Sequence, residues 1–336
     1  MFKQLCIASL MFFLSMFLFG ETPEDAQQNE NAAAPVVRID ISQIKDTDVL
    51  WGYFLQNPDS ETGYDILALL GVLGKRNRQI IDNLNNYLMG RNLLFKSGTA
   101  VDYMVVSACI SAIMELGDSS SYPALFSVLY AGYPEVIASE AHGALDVIRG
   151  NLLSFLMNVI ENNPPDEKFA AFRAGINSQR LTISERGRLA ERALEQGLVN
   201  TEENIDLSAM RYSAIGTLTQ LRWTRANPLA IRHYYRVQSE FLQNAASKER
   251  FVQAINCLGA LGNSDAALVL GLQLGLINAR KETTGAFDPD ITMAIVRALG
   301  SIGHNAAFDH LLYISNLDYP EDIQAAAREA VARLKW

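Results

Sequence analysis

Cysteine, histidine, proline and basic charge are all scarce in this chain of 336 residues. Three cysteines and the four histidines His142, His233, His304 and His310 leave little from which to build a metal centre. No two histidines have the i, i+4 spacing of a helical zinc site, and no paired cysteines assist them. Ten prolines and 22 glycines are too few for a fibrous or collagenous protein. With 28 basic against 37 acidic side chains the formal charge is −9, so the chain lacks the basic surface from which counterion release favours nucleic acid. There is no phosphate-cradling G-x-x-x-x-G-K, no nucleophile elbow G-x-S-x-G and no dinucleotide G-x-G-x-x-G. These gaps set the expectation of no catalytic residue, no metal and no cofactor.

What is present is apolar. The apolar fraction is 49% and the charged fraction 19%, which excludes a disordered chain. The first apolar run is terminal. Lys3 is followed by Leu5 to Phe19, broken only by Ala8, Ser9 and Ser15, and then by Gly20 and Glu21. That layout predicts a secretory signal peptide over residues 1–20, and with it export to the periplasm or cell envelope. Leu18 departs from the small residue preferred before the cleavage site, so an uncleaved N-terminal anchor is the alternative, and would be the only contact with a membrane. Residues 21–41 begin ETPEDAQQNENAAAP, a flexible polar linker by composition. Losing the leader removes Lys3 and Cys6, which takes the charge from −9 to −10 and leaves Cys109 and Cys257. Both lie inside apolar helical patterns, and the expectation is two buried free thiols.

The strongest signal in the body, residues 42–336, is self-similarity. Phe251 to Gly262 reads FVQAINCLGALG and Thr292 to Gly303 reads TMAIVRALGSIG, with Leu258, Gly259 and Gly262 recurring 41 residues on at Leu299, Gly300 and Gly303. Fainter copies end near Gly74, at Gly117-Asp118, at Asn151 and at Leu221. Each copy has apolar residues at spacings of three and four, the period of a helix. The closing glycine (Gly74, Gly117, Gly262 or Gly303) suits a left-handed helix cap. Asp118, Asn263 or Ser264, and Asn305 then offer oxygens to cap the next helix, whose apolar face includes Ala266 to Leu274. The unit is helix, tight turn, helix.

The string A-x-x-A-L-G-x-I/L-G-D/N resembles a HEAT repeat of the short kind found in bacterial HEAT-like proteins. It is clearest over residues 62–162 and 206–336 and degenerate between Pro164 and Asn204, where Ser184-Glu185 opens a helix ending at Gly197. The resemblance implies an all-α fold, an α-solenoid of stacked helix pairs, because one pair cannot bury its apolar face alone. Asp46 to Gln56 reads as an N-terminal capping helix.

Three local features stand out. Arg222, Trp223, Arg225, Arg232, Tyr234, Tyr235 and Arg236 form an arginine–aromatic group, the composition in which binding hot spots are enriched. The competing reading has these arginines paired with acids of neighbouring repeats while the aromatics pack. Arg180, Arg186, Arg188 and Arg192, interleaved with Glu185, Glu191 and Glu195, read as intrahelical pairs on a wet face. Lys281 to Pro289 (KETTGAFDP) reads as the longest loop between repeats, with Asp290 as cap of the helix that follows. Such insertions often lie on the binding face of a solenoid. The functional expectation is a non-enzymatic scaffold or adaptor that binds a protein or peptide partner and no nucleic acid. A glycan- or peptidoglycan-binding module using Trp223, Tyr234 and Tyr235 is the first alternative. The second is an enzyme-assisting role, since some bacterial HEAT-like proteins resemble phycobilin lyases.

Overall fold

In the computed structural model the described residues are 40–199 and 207–335. The leader and almost all of the linker, residues 1–39, lie outside them. Among the described residues there are sixteen α-helices and no strand, so the fold is all-α. No helix among them is long and apolar enough to cross a membrane.

Chemistry local to each end explains most helix boundaries. Helix α1 (Thr47–Gln56) starts at Asp46, whose carboxylate accepts from the N–H groups of Asp48 and Val49. Helices α2 (Glu61–Leu73), α3 (Arg78–Lys96) and α4 (Tyr103–Leu116) are capped in the same way by Ser60, Asn77 and Asp102. Then follow α5 (Tyr122–Ala131), α6 (Glu135–Val147), α7 (Leu152–Asn162) and α8 (Pro165–Asn177). Helix α9 (Ile183–Leu198) opens on a capping box: Thr182 accepts from the Glu185 N–H, while the Glu185 carboxylate accepts from the Thr182 N–H. The remainder are α10 (Ser208–Leu221), α11 (Asn227–Leu242), α12 (Lys248–Leu261), α13 (Ser264–Thr284), α14 (Pro289–Ile302), α15 (Phe308–Tyr313) and α16 (Glu321–Ala332).

The glycines expected as helix caps divide into two kinds. Gly117 and Gly303 have φ of +68° and are left-handed caps. Gly74 and Gly262 are not, with φ of −76° and −68°, which corrects the expectation from sequence. Their reason for being glycine is space. A Cβ at Gly262 would run into the Leu258 carbonyl and stand 2.7 Å from the Ile302 side chain, and one at Gly74 would lie 2.6 Å from the Leu70 oxygen. Asp118 and Asn263 cap the segments that follow them, Asp118 accepting from Ser120 and Asn263 from Asp265 and Ala266. After Gly303 the cap is His304, through Nδ1 to the Ala306 N–H at 3.2 Å, and not Asn305.

The helices pack at intervals of two. Helix α2 lies on α4 and α4 on α6; α10 lies on α12, α12 on α14 and α14 on α16. The companion helices do the same, α3 with α5, α11 with α13 and α13 with α15. Small residues set the separation, with Gly71 against Ala112, Gly259 against Ala298 and Gly300 against Ala330. The middle of the chain breaks this alternation, as the degenerate sequence there implies. Helix α9 lies directly along its neighbour α10, where Gly197 is crossed by Arg211. One continuous apolar core runs from Leu50 to Leu334. Cys109 and Cys257 are free and buried within it, and burial pushes both thiols up to about 12, which leaves them inert.

Candidate partner-binding surface

The arginine–aromatic group does not assemble into one open patch. Tyr234 is 1% exposed and belongs to the core, packed between Tyr235 and Phe251. Trp223 lies half-buried with its ring against Gly187 of α9, where any Cβ would meet it at 2.6 Å. Its indole N–H donates to Glu191 Oε2 at 3.0 Å. Arg225 pairs with the other oxygen of the same carboxylate, Oε1. Arg236 donates to Glu240, which also accepts from the buried Arg211 and from the Tyr212 hydroxyl. Burial alone would raise the Glu240 carboxyl, but the hydrogen bonds from Arg211 and Arg236 outweigh it and hold the group below its ordinary value. The competing reading therefore describes Trp223, Arg225 and Tyr234, whereas Arg236 pairs within its own helix. Arg222, Arg232 and Tyr235 remain exposed, and Arg222 occupies a left-handed cap with φ of +49°.

The second arginine group is also less local than its spacing implies. Only Arg192 and Glu195 form an intrahelical pair, and Arg192 reaches across to Glu161 of α7 as well. Arg180 and Arg186 instead donate to backbone carbonyls, those of Ile148 and Ser178 among them.

Beside the arginine–aromatic group lies a buried polar cluster with no counterpart in the sequence reading. His233 is fully buried, edge-on to Tyr212, and neither ring nitrogen has a hydrogen-bond partner. Burial, with the nearby Arg211 adding to it, pushes this imidazole down to about 3. It is a neutral core residue.

The exposed apolar chemistry lies elsewhere, on α13. The sequence pattern gives that helix a single apolar face, but the structure gives it two. Leu270 and Leu274 are buried in the core. Leu268, Leu272 and Leu276, at successive spacings of four, are 52%, 63% and 68% exposed. A spacing of four keeps side chains on one side of a helix, so these three leucines form a stripe. Such an apolar stripe on a charged protein marks an interaction surface more often than a lone exposed leucine does.

The stripe ends in a groove of about 440 Å³. Helix α11 contributes Gln238, Phe241 and Leu242; α12 contributes Phe251; α13 contributes Gln273, Leu276, Ile277 and Arg280. The far wall is the turn Ala286 to Asp288 with Ile291 of α14. Phe241 and Phe251 are stacked at 5.2 Å between ring centres. The expected long loop at Lys281 to Pro289 is shorter than its sequence implies, because α13 runs on to Thr284 and only residues 285–288 turn. Asp288 caps α14, accepting from the N–H groups of Asp290 and Ile291. Asp290 is not the cap and pairs instead with Lys248. Among the described residues no group of three histidine, cysteine or acidic side chains is placed to hold a metal.

The signal for this groove was present as Leu268, Leu272 and Leu276, interleaved with Leu270 and Leu274. A helix apolar on two faces has either a second packing partner or an open surface. No family model matches the chain, and no curated protein matches it.

Proposed function

We propose that this chain is a non-enzymatic adaptor of the cell envelope: an exported HEAT-like α-solenoid that binds a protein or peptide partner. The 41-residue recurrence and the packing of helices at intervals of two support the solenoid reading. The apolar leader supports export. The observation that carries the binding reading is the exposed stripe Leu268, Leu272 and Leu276 leading into an apolar groove. Exposed leucine in that pattern offers area for burial, at about 25 cal/mol per Å², and no reacting group. The glycan reading depends on Trp223, Tyr234 and Tyr235. With Trp223 laid on α9 and Tyr234 in the core, it retains Tyr235 alone.

A photo-reactive amino acid placed at position 272, and separately at position 232, tests this in intact cells. The adaptor reading expects a discrete protein adduct through 272 and none through 232. An adduct through 232 alone would return the arginine group to consideration. No adduct at either position would count against the adaptor reading.

A further inference from the structure

We infer that the groove at the end of the leucine stripe receives the C-terminal residue of a partner polypeptide, its apolar side chain among the phenylalanines and its free carboxylate on Arg280. This rests on the adaptor reading and narrows it to one kind of partner segment.

The charge at the groove is the first support. Arg280 lines it, is exposed, and its guanidinium has no ion pair or hydrogen bond among the described residues. Its neighbour Lys281 has no carboxylate partner either; the ammonium stands 4.7 Å from the centre of the Phe287 ring, which lines the groove. The acids close by in sequence are engaged. Glu282 accepts from the Tyr313 hydroxyl at 2.9 Å, and Asp288 caps α14 and faces Lys248 at 3.5 Å. Two cations without acids therefore stand together on a chain whose formal charge is −9. Against that background the complement is an anion, and an arginine fork suits a carboxylate in particular.

The lining says what the anion is attached to. Phe241, Leu242, Phe251, Leu276, Ile277 and Phe287 are apolar, so the body of the ligand is apolar too. The volume lies near the lower end of the roughly 300–1,000 Å³ span of small-ligand pockets, which is room for one or two side chains and not for a folded domain. The polar pair on the lining separates a peptide from an acyl chain. Gln238 donates to Gln273 Oε1 at 2.8 Å. Among the described residues the Gln238 oxygen and both Gln273 amide hydrogens have no protein partner, which leaves an acceptor and a donor on the lining. A peptide backbone supplies both complements and a hydrocarbon supplies neither. Leu276 belongs to both groove and stripe, so the residues that precede the C-terminus have Leu272 and Leu268 to run along.

Calorimetric titration of the full chain at low salt tests this. The probes are an acetylated pentapeptide, Ala-Ala-Leu-Ala-Phe, with a free C-terminus; the same peptide as its C-terminal amide; and dodecanoate. The free acid is expected to bind, and the amide about tenfold or more weakly, the loss ordinarily seen on removing one charged hydrogen-bond partner. Arg280→Met, which keeps the apolar stem, should weaken the acid to the level of the amide and leave the amide unchanged. Leu276→Asp should weaken both. Equal binding of acid and amide, no binding of either at millimolar concentration, or tighter binding of dodecanoate than of the acid would each overturn the inference. The adaptor reading fails separately: a position-272 adduct that persists in Arg280→Met, beside peptides showing no carboxylate preference, would leave the adaptor standing and remove this site.

Discussion

A Cβ on Gly259 would stand 2.9 Å from both the Cα and the Cβ of Ala298. The glycine of α12 thus sits on the alanine of α14, and the same contact recurs where Gly71 of α2 meets Ala112 of α4 and where Gly300 of α14 meets Ala330 of α16. These three contacts set how closely α2 approaches α4, α12 approaches α14 and α14 approaches α16. Each glycine has φ in the helical range and so accepts a side chain by backbone conformation alone. What excludes the side chain is the neighbour's backbone.

Glycine substitutions should therefore sort by mechanism. Gly259→Val and Gly300→Val are expected to cost about 1–3 kcal/mol each by overpacking, read from urea unfolding midpoints. Gly303→Ala should cost about 1–2 kcal/mol through its left-handed backbone, and Arg222→Gly at the equivalent end of α10 should recover about 1 kcal/mol for the same reason. Gly90→Ala and Gly143→Ala lie inside helices with nothing within 4 Å of the added Cβ, and each should stabilise by about 0.5–1 kcal/mol. Destabilisation by Gly90→Ala together with neutrality of Gly259→Val would contradict the packing described.

His233 gives a pH dependence with a defined sign. Unfolded, the imidazole titrates near 6.5; folded, burial and Arg211 push it down to about 3. The unfolded chain therefore binds the proton that the folded chain refuses, and stability rises with pH across this window. The contribution is complete above pH 6.5 and is lost progressively as the pH falls toward 3. His233→Phe should flatten the fall in stability between pH 6 and 4 by up to about 1.4 kcal/mol per pH unit, the value for one proton. Parallel stability–pH curves for the wild type and the variant would show that the imidazole is solvated.

The arginine–aromatic group should behave as structure in its inner half and as free surface in its outer half. Arg232→Ala should leave stability within about 0.5 kcal/mol of wild type. Trp223→Ala removes the ring over Gly187 and the donor to Glu191, and should cost about 2–3 kcal/mol, somewhat less than a wholly buried aromatic. Arg211→Met withdraws a buried partner from Glu240 and should cost about 3 kcal/mol. Thermal or urea melts of the three variants check this ordering.

The all-α fold was legible in the sequence because the evidence for it is local and repeated. Helix periodicity, the Asp, Ser, Asn and Thr caps and the Leu-Gly signature all act within a dozen residues. The capping helix at Asp46 to Gln56 and the helix closing near Gly197 were readable for the same reason. The site was not, because it depends on which neighbour each side chain finds. Glu191 and Glu240 lie 32 and 29 residues from Trp223 and Arg211, the donors they accept from, and nothing in the spacing announces those pairings. Gly262 and Gly303 close strings of the same Leu-Gly-x-x-Gly pattern, yet one is extended and the other left-handed. The second face of α13 was visible in its alternate leucines, but only packing shows which of them the core takes.

The most direct test of the central claim, that the leucine face of α13 is where a partner sits, is the yield of adduct through a photo-reactive residue at position 268, measured with and without Leu276→Asp. Leu276 is 68% exposed, so the aspartate should move the melting temperature by no more than about 2 °C. The account predicts that the adduct formed in the otherwise unchanged chain disappears in the Leu276→Asp variant while the melting temperature holds. An adduct of unchanged yield, or no adduct with either chain, would contradict it.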